Sequence, residues 1–136
     1  VDALRPGAGA AGGLGFGLMA FLGATPISGF EVFARWSRLE ARMRRSDLVV
    51  TAEGSLDRSS LMGKGVGEVA KLARTIGKPC FGLGGVTRDP KLLGRWFLAT
   101  GALTPDLTTP IEATADPAKW LSRLASTIAG QARILT

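Results

Sequence analysis

Residues Leu48–Lys64, LVVTAEGSLDRSSLMGK, restrict the possible folds most tightly. A short β-branched strand, Leu48–Thr51, leads into two carboxylates, Glu53 and Asp57. A Gly63-Lys64 pair follows at the head of a helical pattern. The spacing predicts a helix over Ser60–Ile76 with Met62, Val66, Val69, Ala73 and Ile76 on its buried stripe. Ser59 or Ser60 can cap it, and Gly77 can end it. Pro79–Leu83 reads as the next strand, closed by Gly84 and Gly85. Strand, helix and strand in this order predict a parallel pair with a right-handed crossover. Open α/β sheets present ligand-binding groups at the carboxyl ends of their strands, which is where Glu53 and Asp57 fall.

The flanking segments extend this to a three-layer α/β unit with a parallel sheet covered on both faces. Leu14–Leu22 is apolar almost throughout and reads as a buried helix, and Gly23–Gly29, with Pro26, as a loop. Val32, Trp36, Leu39 and Met43 predict one helix over Phe30–Arg45. Asp89–Gly94 reads as a short helix, Trp96–Leu103 as holding a strand, and Thr104–Ala115, with Pro105 and Pro110, as a loop. Asp116 caps a last helix with Pro117 in its first turn, and Trp120, Leu121, Leu124, Ile128 and Leu135 form its apolar positions. There is no internal repeat or low-complexity linker, and 136 residues leave little room for two cores. Residues 1–136 are therefore expected to form a single α/β unit.

Histidine is absent, which removes the commonest general base and metal ligand. With one cysteine as well, a structural zinc site is excluded. Chemistry must come from Asp, Glu, Lys, Ser, Thr or backbone groups. Cys80 lies in an apolar run and reads as a buried structural thiol, which fits a reducing, cytoplasmic setting. No apolar run has the length of a membrane span, and no signal-peptide pattern is expected. The chain starts with Val rather than Met and reads as a fragment or processed piece. The net charge of +6 fits nucleic acid, a membrane surface or an anionic small ligand. Its one local concentration is Arg35, Arg38, Arg42, Arg44 and Arg45, four of which recur at helical spacing and read as a solvated helix face, so no nucleic-acid partner is expected.

Pro6–Gly13 is the second informative run. Gly7, Gly9 and Gly12 match G-x-G-x-x-G, but Pro6 argues against the preceding strand that a dinucleotide site requires. Gly12 and Gly13 precede a helix, whose free amides make an anion site; a loop that only permits tight packing fits equally. Gly63-Lys64 fails as a P-loop, because Arg58 stands where glycine is required and Gly65 replaces the magnesium-binding hydroxyl. Lys64 is then either a counter-charge for a phosphate or carboxylate or a solvated lysine. Glu53 and Asp57 could share a magnesium ion, or one could accept a proton from a substrate hydroxyl; alternatively Asp57 caps its own loop.

The runs PGAGAAGGLGFGLMAFLGA and DLVVTAEGSLDRSSLMGKGVGEVAKLARTIGKP, in this order, resemble the C-terminal part of a bacterial glycerate kinase of the type I family. The resemblance is strong over Pro6–Gly85 and weaker after it. It implies phosphorylation of D-glycerate with ATP and Mg2+. It also implies a flavodoxin-like α/β domain with a second domain inserted, of which this chain would be the returning half. By the same resemblance Glu53, Gly54, Asp57, Gly63 and Lys64 occupy the acidic-turn motif. Gly9, Ala10, Ala11, Gly12 and Gly13 would bind phosphate or the glycerate carboxylate. Asp57 is the first choice for proton acceptor or magnesium ligand, Glu53 the second carboxylate and Lys64 a counter-charge. Three departures stand out: Ala52 where the family has Gly, Ser55 where it has Arg, and Ser59 where it has Gln. The family's Asp-Ser-Phe-Lys strand and inserted domain do not occur in these residues. A family fold fragment without turnover of its own is therefore expected. The alternative is a non-catalytic relic or assembly subunit, whose sheet is completed by another copy or by a missing N-terminal half.

Overall fold

A computed structural model describes residues 3–135, and side chains through residue 130. The chain divides into two compact units, Val1–Ser37 and Arg38–Thr136. The first unit holds helix α1 (Ala10–Leu22) and helix α2 (Gly29–Trp36). The second holds α3 (Leu39–Arg44), β1 (Val49–Leu56), a 3-10 turn (Arg58–Leu61), α4 (Gly65–Thr75), β2 (Cys80–Thr87), α5 (Pro90–Leu93), β3 (Ala99–Thr104), α6 (Pro110–Ala115) and α7 (Pro117–Leu135). Among the described residues no helix is long and apolar enough to cross a membrane.

In the first unit, α1 is not the buried helix its composition predicts. Met19 is buried, but Leu14, Leu18, Phe21 and Leu22 are exposed. A helix apolar all round needs cover on every side. The rest of this unit is a glycine loop, an extended connection and one two-turn helix, which is too little chain to supply it. Ser28 caps α2, its Oγ accepting the Glu31 amide at 3.4 Å. The single helix expected over Phe30–Arg45 is broken. Ser37 Oγ donates to the Phe33 carbonyl at 2.7 Å, and Arg38 takes a left-handed conformation with φ +52°, which interrupts helical bonding.

The second unit is the α/β fold. Its strands are parallel in the order β1-β2-β3, with Val49 opposite Cys80 and Phe81 opposite Ala99. Successive strand residues face opposite sides, and two cores result. Cys80 packs with Met43, Val49, Leu56, Val66, Ala70, Ala73, Leu93 and Phe97, which brings α3, α4 and α5 onto one face. Phe81 and Leu83 pack with Leu103, Leu124 and Ile128, which brings α7 onto the other. Helix, sheet and helix are the three layers expected. Cys80 is buried, and burial pushes its thiol up to about 12.

Three boundaries differ from expectation. First, β1 and β2 run beyond Thr51 and Leu83, through Gly54, Gly84 and Gly85. These glycines do not end strands; a Cβ on Gly85 would sit 2.7 Å from the Gly54 carbonyl oxygen, so the two strands meet there backbone to backbone. Second, the predicted Ser60–Ile76 helix is a 3-10 turn followed by α4, and Met62 is exposed rather than part of the stripe. The stop is as expected. Gly77 has φ +70°, and Lys78 N–H donates to the Ala73 carbonyl at 2.8 Å, with Gly77 N–H to Arg74 at 3.2 Å. Third, α6 interrupts the predicted Thr104–Ala115 loop, because Thr109 and Glu112 form a reciprocal capping box ahead of Pro110. Asp116 caps α7 as predicted, its Oδ1 accepting the Lys119 amide at 3.2 Å. Leu124 and Ile128 are buried, Leu121 is exposed, and Leu135 lies outside the described side chains.

Candidate functional site

The carboxyl end of β1 gathers the acidic motif. Glu53 lies inside the strand rather than in the turn after it, opposite Gly84. Asp57 is the first residue past the strand and caps the 3-10 turn: its Oδ1 accepts the Ser59 amide at 2.7 Å and the Ser59 hydroxyl at 2.6 Å. Oδ2 accepts the Ser55 hydroxyl at 2.8 Å. Ser60 completes a capping box, its buried Oγ accepting the Asp57 amide at 3.1 Å. These bonds, led by the Ser59 and Ser55 hydroxyls, hold the Asp57 carboxyl down at about 2.

Lys64 lies at the N-cap position of α4, next to Gly63, whose φ is +90°. Its Nζ donates to Ser59 Oγ at 2.8 Å and sits 3.8 Å from Glu53 Oε2. Lys64, Ser59 and Asp57 thus form a chain of hydrogen bonds, with Glu53 at one end. The half-exposed ion pair adds little stability in itself. Glu53 Oε1 is fully buried and has no hydrogen-bond partner, and Thr87 Oγ1 is the other such atom among the described residues. Both lie in the carboxyl-terminal halves of adjacent strands. Buried orphans of this kind mark places where water or a ligand completes the bonding.

The donor set suits a magnesium ion better than a fully protein-built metal centre. Magnesium is usually held by one or two carboxylates together with waters and substrate phosphates. Glu53 Oε1 has both lone pairs free, and Asp57 Oδ2 accepts one bond where two are possible. No group of three His, Cys, Asp or Glu side chains is assembled among the described residues.

Glu53, Asp57 and Lys64 are therefore brought together, with Gly54 in the strand between the carboxylates and Gly63 in the turn before α4. The Gly9, Ala10, Ala11, Gly12 and Gly13 run belongs to the first unit. There Ala11, Gly12 and Gly13 are all left-handed, with φ of 51°, 67° and 98°. This turn carries the chain back so closely that a Cβ on Gly15 would lie 2.0 Å from the Gly7 carbonyl oxygen. Tight backbone packing is thus part of what the glycines do. Ser55 is a site residue that sequence reasoning saw only as a departure, and Ser59 one it saw as a departure and as a candidate cap of the following helix, not as a partner of Asp57. Their type was legible, but a short hydroxyl two residues from Asp57 on either side is a cap signal only once the turn is known.

A model of the glycerate kinase family matches residues 1–133. Glycerate 2-kinase of Escherichia coli K12 is 45% identical over 84 residues, which are 62% of this chain and 22% of that protein. Glycerate kinase of Bacillus subtilis 168 is 31% identical over 130 residues, 94% of this chain and 34% of that protein. A crystal structure from Salmonella typhimurium LT2, provisionally named glycerate kinase 2, superposes with a TM-score of 0.58 at 31% identity, over 92% of this chain and 33% of its own. The chain spans about a fifth to a third of the length of these relatives. Through the match of nearly its whole length to the family, and with a parallel α/β sheet carrying the acidic turn, this chain belongs to the glycerate kinase family.

Proposed function

We propose that this chain supplies the acidic turn of an ATP-dependent kinase that phosphorylates D-glycerate. The observation that carries the reading is the linked set at the end of β1: Glu53 with an unpartnered buried oxygen, Asp57 locked by three hydrogen bonds, and Lys64 reaching toward both. In phosphoryl transfer the protein mainly positions reactants and neutralises charge. A carboxyl held at about 2 is ionised at every working pH, so Asp57 suits cation binding better than accepting a proton from a hydroxyl. Glu53 and Asp57 would hold Mg2+, which when bound offsets the negative charge of the nucleotide phosphates. Lys64 adds a mobile positive charge at the same edge. The Gly9–Gly13 amides are the proposed contact for phosphate or for the glycerate carboxylate.

This chain alone is proposed to turn over nothing and to bind Mg-ATP weakly. Calorimetry on the 136 residues should show no tight site. The residue roles are tested with this chain set within a complete glycerate kinase: Asp57→Asn and Glu53→Gln should each abolish coupled-assay turnover with glycerate and Mg-ATP. Unchanged turnover in both variants overturns them.

A second reading has its own observation. Leu4, Phe21, Leu22, Ile27, Phe33 and Trp36 of the first unit are all more than half exposed. Single exposed apolar side chains are ordinary, but this many within one small unit would suit a surface for another polypeptide to cover. As an assembly subunit or relic the isolated chain would associate, and a light-scattering mass equal to the monomer at high concentration overturns that reading.

A further inference from the structure

The two buried oxygens without a partner, Glu53 Oε1 and Thr87 Oγ1, fall on one face of the sheet. Val49 and its partner Cys80 pack with Val66, Ala70 and Ala73 of α4, which marks that face. Alternation carries it from Cys80 to Gly82 and Gly84, and from Val49 to Glu53, which stands opposite Gly84. Unbroken alternation would turn Leu56 and its partner Thr87 to the other face. Instead Leu56 is fully buried in the same core. Thr87 Oγ1 lies 3.3 Å from where a Cβ on Gly84 would stand. Both strands thus change face near Gly54 and Gly85, where their backbones meet, and Thr87 comes round to the side of Glu53. We infer that Thr87 is a positioning residue of the acidic site: its hydroxyl holds the inward oxygen of Glu53 through one buried water over Gly84.

Three oxygens converge there. A Cβ on Gly84 would also lie 2.6 Å from the Val86 carbonyl oxygen, so that carbonyl is turned to the same place. Gly84 has no side chain and leaves room above its Cα. A buried water makes about three hydrogen bonds. Here the Thr87 hydroxyl donates to the water, and the water donates to Glu53 Oε1 and to the Val86 carbonyl. Glu53 and Thr87 do not bond each other directly, and a bridging water satisfies both. The bridge takes one of the two lone pairs of Glu53 Oε1. Oε2 faces Lys64 Nζ at 3.8 Å, so the carboxylate is held from both ends and keeps acceptor positions at the end of β1. Carboxylates held in this way bind metal more tightly than loose ones.

The effect on metal binding rests on the kinase reading and deepens it; the bridge itself does not, and its test needs no metal. In urea titration of the chain with EDTA present, Thr87→Val should lower the folding equilibrium constant about five- to tenfold, and Thr87→Ser should restore most of the loss. The sign decides. Were the hydroxyl a true orphan, a methyl of the same shape in its place would leave stability unchanged or raise it, and that result overturns the proposal. In the double variant with Glu53→Met, the loss should be at least about threefold smaller than the product of the single losses; independent effects overturn the bridge. In the labelled chain the Gly84 α protons should show cross-relaxation to a long-lived water, and Thr87→Val should abolish it. No such signal in the parent chain overturns the bridge, as does a Thr87→Val effect that arises only when Mg2+ is added, the mark of a directly bound ion. With this chain set within a complete glycerate kinase, Thr87→Val should raise the half-saturating Mg2+ concentration about tenfold, and Thr87→Ser should not. Unchanged Mg2+ dependence overturns the positioning role. Failure of the kinase reading looks different: full turnover in Glu53→Gln and Asp57→Asn, with the urea and water results still supporting the bridge.

Discussion

Gly67→Ala should unfold the acidic turn. Gly67 sits inside α4, where exchanging glycine for alanine ordinarily stabilises a helix by about 1 kcal/mol. Here the added Cβ would lie 2.1 Å from the Ser60 carbonyl oxygen and 2.9 Å from Leu61 Cα. Both are backbone atoms, so no rotamer change relieves the contact. Reaching an ordinary van der Waals distance from the oxygen needs a movement of more than 1 Å. The movement would fall on Ser60, whose fully buried hydroxyl accepts the Asp57 amide and donates to the Ser55 carbonyl. Overpacking of this kind costs about 1–3 kcal/mol, and the loss of two buried bonds adds about 1 kcal/mol each. Against the propensity gain of about 1 kcal/mol, a net destabilisation of about 2–4 kcal/mol is expected. In urea titration this lowers the midpoint by about 1–2 M for an m-value near 2 kcal/mol/M. Gly65→Ala is the matched control. It is in the same helix, has no atom within 4 Å of the added Cβ and no positive φ, and should be neutral or slightly stabilising. Equal stability of the two variants would refute the close approach between α4 and the turn.

Other outcomes follow from the same geometry. The folded Asp57 carboxyl is at about 2 against an ordinary 3.8, so its ionised form favours the fold. That contribution is complete above pH 4 and fades as pH falls toward 2; Asp57→Asn should flatten this part of an acid-unfolding curve, and an unchanged curve would refute the cap. Glu112 is likewise lowered, by the Thr108 hydroxyl first, so Glu112→Gln should destabilise α6 at neutral pH and matter less in acid, read by amide exchange of its first turn. Cys80 should resist alkylation in the native chain and react in urea. Because its folded value is raised from 9.0 to about 12, stability should drop as pH rises above 9, where only the unfolded thiol ionises. Phe21→Ser with Trp36→Ser should lower the light-scattering mass of any associated form, and an unchanged mass would exclude these side chains from the contact.

Much of the second unit was legible in residue order. The parallel pairing of β1 and β2, the Val66, Ala73 and Gly77 pattern of α4, the buried Cys80 and the Asp116 cap all follow from local periodicity and capping chemistry. The acidic motif was legible as well, since the types and spacing of Glu53, Asp57 and Lys64 are local facts. What failed was reading Gly84 and Gly85 as the close of a strand. They lie within β2, as Gly54 lies within β1, because two backbones approach there, a property of the pair and not of either segment.

The sequence by itself therefore determined the class of fold and the residues at the carboxyl end of β1, because periodicity, caps and motif spacing act over a few residues at a time; the family was legible through the resemblance of two long runs. Only the tertiary structure decided that Glu53 faces inward with an unpartnered oxygen and that Ser55 and Ser59 spend their hydroxyls on Asp57. Those relations join side chains from different strands and turns. Their distances are set by the sheet register and by helix packing, which place residues far apart in the chain next to one another.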